Sequence, residues 1–509
     1  MSDHAAKGQV RIRLHPQDRE IRVDKGTPLQ QVLFAHGVEF PCGGQGRCRG
    51  CRVRVLSGEV PPSPAEEDIL SPAELAQGWR LACRARAFDN LTLEIRQWEA
   101  AILADHSVFQ FRAREGLGIA VDLGTTTLAA QLLDLNTADV LAVRTALNPQ
   151  AVFGADVMSR VQFALSGSGR TQLRDLIRNG IADLVAWLRK DTRFDSHAIR
   201  DVVVVGNSVM HHLFCDIDVV PLAHYPFVPV RDGLEAFDAK SLGWALPGNP
   251  MLRFLPCLGG FVGSDILAGI VATGLHECRE LAALIDLGTN GEIVLGSRDR
   301  MLCASTAAGP AFEGARIRMG MQATAGAIAG VELADGNVIC KVLGGGPARG
   351  LCGSGLVDAV AVGLDTGRIL TSGRFSDGSP EWRLAPDVAL YQNDIRELQL
   401  AKGAIAAAIR VLLRQWDAGV DDVARVYLAG AFGNYVNRTS ARRIGLLDFA
   451  VDRIEPAGNT ALLGAKILLC NSERTDDFAD LRRRTEHIPL AADPFFEETF
   501  VACMPFPED

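Results

Sequence analysis

The sequence predicts two folds in series, a small α+β unit followed by a larger α/β unit made of two related halves. Three observations carry that expectation. Strand-like alternation brackets a loop crowded with cysteine and glycine, PCGGQGRCRGC, from Pro41 to Cys51. The motif DLGT occurs twice, in GIAVDLGTTTLAAQLLD (Gly118 to Asp134) and in LIDLGTNGEIVLGS (Leu284 to Ser297), at an offset of 164 residues. A third apolar run, RVYLAGAFGNYVNR from Arg425 to Arg438, ends in small residues after the second copy.

With 509 residues the chain exceeds the size of one compact core, about 100 to 200 residues, so several domains are expected. We divide it into 1–98 for the small unit, 99–117 for a linker, and 118–280 and 281–509 for the two halves. At 48% hydrophobic and 22% charged residues, the composition is that of an ordinary globular chain. A formal charge of -9 argues against a dedicated nucleic-acid binder. Residues 1–98 depart from that balance, with 14 Lys and Arg against 12 Asp and Glu. No apolar run reaches the roughly 18 residues of a membrane helix; Arg410, for instance, splits AIAAAIRVLL. The first thirty residues show no charged start followed by an apolar core, so a cytoplasmic protein without a membrane partner is expected. Its twelve cysteines are then read as reduced thiols and metal ligands.

In the small unit, VRIRLHPQDREIRVD alternates as a hairpin, TPLQQVLFAHG has the pattern of a short amphipathic helix, and CRVRVLSGEV resumes strand alternation. That is the β-grasp order of a small ferredoxin. Cys42, Cys48, Cys51 and the distant Cys83 form CxxxxxCxxC plus one. Zinc ribbons present two short cysteine pairs, whereas a loop supplying three thiolates wraps something larger. A two-iron two-sulfur cluster fits best, since the plant-type spacing differs by one residue in the first gap; zinc and unligated thiols are the alternatives. Gly43, Gly44, Gly46 and Gly50 let the backbone approach the cluster and turn N–H groups to its sulfurs. The remaining eight cysteines are isolated and read as small buried hydrophobes. No GxGxxG turn follows to bring in a nicotinamide cofactor.

Each DLGT segment reads as strand, tight turn, strand. Such a hairpin can cradle phosphate through backbone N–H groups and threonine hydroxyls, and Asp122 and Asp286 offer oxygen to a magnesium ion through its hydration shell. A single Asp-x-Gly is also a common surface turn; the repetition on matching strands favours the phosphate reading. In the third run, Gly430, Ala431, Phe432 and Gly433 leave the gap an adenine ring needs, or simply link a strand to a turn.

The order of two phosphate hairpins and an adenosine strand resembles the superfamily of acetate and sugar kinases, Hsp70 and actin. The resemblance implies a duplicated ribonuclease-H-like fold with the nucleotide between its halves. Phosphate contacts then fall on Asp122, Gly124, Thr125, Thr126, Thr127, Asp286, Gly288, Thr289 and Asn290, and adenosine contacts on Gly430, Ala431 and Gly433. A ferredoxin joined to such an ATPase resembles the reductive activators of corrinoid enzymes. NPQAVFGADVMSR from Asn148, VVVVGNSVMHHLF from Val202, AAGPAFEGARI from Ala307 and GGGPARGLCGSGLVDA from Gly344 also look like that family.

The resemblance implies ATP-dependent reduction of a corrinoid protein from cobalt(II) to cobalt(I), returning an inactivated methyltransferase system to its cycle. It implies a two-iron two-sulfur cluster, ATP and Mg2+ as cofactors, an upstream flavoprotein or ferredoxin as electron donor, and a homodimer. A ferredoxin-like donor sits on the order of -400 mV, and each 100 mV uphill costs about 2.3 kcal/mol per electron. That accounts for the ATPase. Glu292 orients the attacking water or is a strand residue facing solvent. Arg47, Arg49, Arg52, Arg54, Arg80, Arg84 and Arg86 dock an acidic partner or form a solvated face. His211 and His212 are packing or helix-surface residues before they are metal ligands. Two other functions are compatible with these motifs: ATP-driven electron transfer to another acceptor, as in 2-hydroxyacyl-CoA dehydratase activators, and a redox-sensing Hsp70-like binding module.

Overall fold

The computed structural model describes residues 8–15, 19–34, 52–67, 69–70, 72–95, 109–154, 156–189, 198–314, 316–321, 323, 326–344, 346–433, 435–471 and 475–508. Cys42, Cys48 and Cys51, and with them the whole of the cluster loop from Pro41 to Cys51, lie outside the described residues.

The small unit begins with a hairpin of β1 (Gln9–His15) and β2 (Arg19–Asp24). Helix α1 (Leu29–Phe34) follows, then β3 (Arg52–Ser57), β4 (Trp79–Leu81) and β5 (Leu91–Ile95). The sheet order is β2-β1-β5-β3-β4, with β1 and β5 parallel. Period-two alternation in β1 turns Val10, Ile12 and Leu14 inward and leaves Arg11 and Arg13 exposed. Those side chains meet Leu29 and Leu33 of α1, Val53, Leu81 and Leu93 in one core. This is the expected β-grasp arrangement.

In the first half of the larger unit, β6 (Leu117–Leu123) and β7 (Thr127–Asp134) form the first DLGT hairpin, and β8 (Val140–Leu147) extends it antiparallel. After α2 (Val157–Ala164) and α3 (Gly169–Arg189), β9 (Ile199–Gly206) returns parallel to β6 and leads into α4 (Ser208–Cys215). β10 (Glu235–Asp238) and β11 (Met251–Phe254) complete a sheet ordered β8-β7-β6-β9-β11-β10, and α5 (Ser264–Thr273) closes the half.

The second half repeats this plan. β12 (Ala282–Leu287), β13 (Gly291–Gly296) and β14 (Met301–Thr306) are antiparallel neighbours. Helices α6 (Gly353–Asp365) and α7 (Gln392–Trp416) cover one face. β15 (Arg425–Ala429) then pairs parallel with β12, and β16 (Ile454–Gly458) with β15. After α8 (Thr460–Cys470), β17 (Thr485–His487) joins the far edge, giving β16-β15-β12-β13-β14-β17. The shared pattern, two antiparallel strands beside the first and two parallel strands on its other flank, is the duplicated ribonuclease-H-like fold expected from the two motifs.

The halves meet through a common core. Ala120, Val203 and Val205 of the first sheet, Ala282, Leu284 and Val294 of the second, and residues of α5 and α8 belong to one buried cluster. The two helices touch backbone to backbone: a Cβ on Gly464 would lie 2.0 Å from the carbonyl oxygen of Ala268. Only glycine permits that approach. Their N-termini therefore arrive together at the mouth between the two hairpins. Among the described residues no helix is long and apolar enough to cross a membrane.

Candidate functional site

The first hairpin turns at Gly124, whose N–H donates to Thr127 O at 3.1 Å. A Cβ there would sit 2.5 Å from the same carbonyl, so the turn requires glycine. Three consecutive carbonyls are tied back into the protein. Asn148 Nδ2 donates to Gly124 O at 2.9 Å, Arg160 Nη2 to Thr125 O at 2.7 Å, and the Asn148 N–H to Thr126 O at 2.9 Å. Asn207 Nδ2 donates to Thr125 Oγ1 at 3.0 Å. Among the described residues nothing accepts from the N–H groups of Thr125 or Thr126, and Thr127 Cα begins β7 with its side chain exposed.

The second hairpin closes with Gly288 N–H on Asn290 O at 3.0 Å. Gly288 is roomy, its nearest Cβ neighbour being Asn290 O at 3.7 Å, so packing alone does not demand glycine there. Thr289 Oγ1 donates to Glu313 Oε1 at 2.7 Å, and burial pushes the Glu313 carboxyl up. The two hairpins face each other across the cleft, with Thr126 Oγ1 and Thr289 Oγ1 3.4 Å apart. Since the Thr289 proton is directed to Glu313, Thr126 is the donor of that pair.

Behind the turns stands a cluster of carboxylates. Asp286 and Glu292 are directly opposed on β12 and β13 and so share a face of the sheet. The equivalent of Glu292 in the first half is Ala129, opposite Asp122; past the turn the repeat runs one residue out of step. Glu292 is 9% exposed and accepts from Ser305 Oγ at 3.2 Å, which overturns the solvent-facing alternative. Desolvation pushes Asp122 up to about 6 despite a hydrogen bond from Asn459 Nδ2 at 2.9 Å. Asp286 rises to about 7 through desolvation and the charge of Asp122. Desolvation with Asp265 and Asp286 beside it carries Glu292 well above the usual range.

Asp265, at the start of α5, was missed by the motif reading. Desolvation and the charges of Asp122 and Asp286 push it to about 8. A divalent cation would relieve this crowding. The all-oxygen donor set suits magnesium, and among the described residues no three His, Cys, Asp or Glu converge to cage an ion, as fits an ion held largely by water and phosphate. Asn459, the N-cap of α8, was also missed. Asp265 follows the glycine-rich GGFVGS, and Asn459 precedes an apolar helix as a cap; those local signals were present without indicating the cleft.

Gly430 has φ +85° and opens the short helix Gly430–Gly433 after β15. A Cβ there would meet Asp286 Oδ1 and Leu287 O, each at 2.6 Å. Gly206, at the same place in the first half, would meet Leu123 O at 2.7 Å. This glycine is thus dictated by contact with the hairpin in both halves, whatever lies beyond it. The backbone of Ala431 and Gly433 follows beside the second hairpin, and a Cβ on Gly433 would face Leu428 Cγ at 3.2 Å.

Cys83 lies in the turn after β4, half-buried at the margin of the small core, as a free thiol. It suits a cluster ligand. The neighbouring arginines are committed to structure. Arg52 pairs with Glu74 and stacks over Trp79 at 5.0 Å. Arg54 Nε donates to Gln77 O at 2.9 Å, Arg80 Nε to Val60 O at 2.6 Å, and Arg86 Nη1 to Gly26 O at 3.1 Å. Arg47 and Arg49 lie outside the described residues. His211 and His212 are fully buried rather than on a helix surface. His212 Nδ1 is 2.8 Å from Ser208 O, His211 Nε2 is 3.2 Å from Gly233 O, and burial lowers His211 to about 4. They pack.

Comparison with known proteins agrees with this architecture. Residues 12–88 match a 2Fe-2S iron-sulfur cluster binding domain, 117–278 the RACo middle region, and 280–509 the C-terminal domain of RACo, the ASKHA domain. The corrinoid activation enzyme RamQ of Eubacterium limosum is 35% identical over 417 residues, 75% of this chain and 69% of that protein. The [Co(II) methylated amine-specific corrinoid protein] reductase of Methanosarcina barkeri is 29% identical over 418 residues, 75% and 76% of the two chains. The solved structure of a reductive activator for a corrinoid, iron-sulfur protein superposes with TM-score 0.70 at 27% identity, covering 98% of each chain. With a β-grasp unit, a duplicated ATPase fold and these relatives, the chain belongs to the family of ATP-dependent reductive activators of corrinoid proteins.

Proposed function

We propose that the chain couples ATP hydrolysis between the DLGT hairpins to one-electron reduction of a corrinoid protein, from cobalt(II) to cobalt(I), in a methyltransferase system. The observation that carries this is the facing pair Thr126 and Thr289 at 3.4 Å, two phosphate turns on one cleft in a chain that also matches an iron-sulfur domain. Cys42, Cys48, Cys51 and Cys83 are assigned to the two-iron two-sulfur cluster. When bound, that cluster supplies the electron.

Gly124, Thr125, Thr126, Thr127, Gly288, Thr289 and Asn290 are assigned to the phosphates, and Asp122 and Asp286 to the water shell of Mg2+. The roomy Gly288 and the unclaimed N–H groups of Thr125 and Thr126 support this. Glu292, enclosed on the same face as Asp286, orients the attacking water, and Asp265 shares its environment. Gly430, Ala431 and Gly433 border the adenosine. Hydrolysis helps an uphill transfer only if nucleotide binds the conformational states unequally.

The division into 1–98, 99–117, 118–280 and 281–509 belongs to the same reading and is supported by the sheets and the matched segments. A flavoprotein or ferredoxin donor, a homodimer and a cytoplasmic setting complete it. Adding a cobalt(II) corrinoid protein is expected to stimulate ATP hydrolysis at least about fivefold, because the partner favours one of those states. The cobalt(I) form should not. Equal hydrolysis with and without the cobalt(II) partner would sink the coupling.

A further inference from the structure

Arg160 on α2 is completely buried, and a buried guanidinium is costly unless its donors are met. Among the described residues no carboxylate is hydrogen-bonded to it. Instead Nε donates to Gly154 O at 2.9 Å, Nη2 to Thr125 O at 2.7 Å, and Nη1 to Gln150 Oε1 at 3.3 Å and Met210 Sδ at 3.7 Å. A methionine or leucine would fill this core with less penalty. What the planar fork adds is a fixed distance between the first hairpin and the segment carrying Gln150 and Gly154.

We propose that Arg160 is a positioning residue for ATP: by holding the Thr125 carbonyl inward it keeps the N–H groups of the first turn free for phosphate. Its charge is balanced by Asp156, the N-cap of α2, which accepts from Ser159 N at 2.9 Å and Ser159 Oγ at 2.8 Å. Asp156 also feels the charge of Arg316, an exposed residue of the second half with φ +63°. Asp156 thus lies within electrostatic reach of both arginines. This assignment rests on the reading of the cleft as the ATP site.

Steady-state ATP hydrolysis by the holoprotein tests it with Arg160→Lys, which keeps the charge but not the fork, Arg160→Met, and Asp156→Asn, which keeps a capping side chain. If the anchor acts on ground and transition states alike, KM for ATP rises about tenfold in Arg160→Lys and about threefold in Asp156→Asn, with kcat within about threefold of wild type. A residue that only supported the fold would lower the active fraction, and hence apparent kcat, while leaving KM unchanged. KM within about twofold of wild type in Arg160→Lys overturns the assignment. Should Arg160→Met fail to fold, Arg160→Lys and Asp156→Asn still decide. Undiminished hydrolysis by Asp286→Ala would instead remove the cleft reading itself.

Discussion

Asp286→Ala is expected to lower ATP turnover by about a thousandfold, or about 4 kcal/mol of transition-state stabilisation, while leaving the iron-sulfur spectrum intact. Asp286 faces the cleft at the end of β12, directly opposite Glu292, and occupies the place that Asp122 takes in the first hairpin. Removing it also removes charge from the environment of Asp265 and Glu292, so the protein should not lose stability through that change. On the proposed reading, the Mg2+ water shell then loses the acceptor assigned to Asp286. The measurement is kcat for ATP together with the cluster absorbance of the same sample. Turnover within about threefold of wild type would remove Asp286 from the mechanism.

Cys83→Ala is expected to produce the opposite phenotype. A lost thiolate leaves three ligands for a cluster that takes four, so cobalt reduction should fall to background. KM for ATP should stay within about twofold, because Cys83 belongs to the core of the small unit and the hairpins to a separate one. Iron and sulfide content, the visible spectrum and ATP hydrolysis report the two halves of the prediction independently. A Cys83→Ala protein with a full cluster would show that the fourth ligand lies elsewhere.

The parts of the site that local sequence encodes were the readable ones. A DLGT hairpin is two strands and a turn, so its residues meet whatever the rest of the chain does, and repetition marks it. Asp265 and Asn459 reach the same place only because α5 and α8 cross at Ala268 and Gly464, a contact between segments that share no motif. Glu292 read as ambiguous because β13 is buried on both faces and shows no alternation to indicate where its side chains point. The arginines beside the cluster read as either a docking face or a solvated one, because charge is visible in a sequence and the backbone carbonyls that take Arg80 and Arg54, Val60 O and Gln77 O, are not. Gly430 was legible as a special residue, but its contact with Asp286 and Leu287, mirrored by Gly206 on Leu123, gives it a structural reason the motif did not.

The central claim is that nucleotide chemistry in the cleft drives the electron uphill. The most direct measurement starts with protein whose cluster has been reduced and freed of excess reductant, mixed anaerobically with a purified cobalt(II) corrinoid protein, and follows cobalt(I) by its absorbance. With ATP and Mg2+, cobalt(I) should accumulate toward one equivalent per reduced cluster; with ADP, or with a non-hydrolysable analogue, the yield from equal amounts of the two proteins should be at least about tenfold lower, as about 2.6 kcal/mol or more of uphill transfer requires. The same cobalt(I) yield with and without ATP would contradict the account.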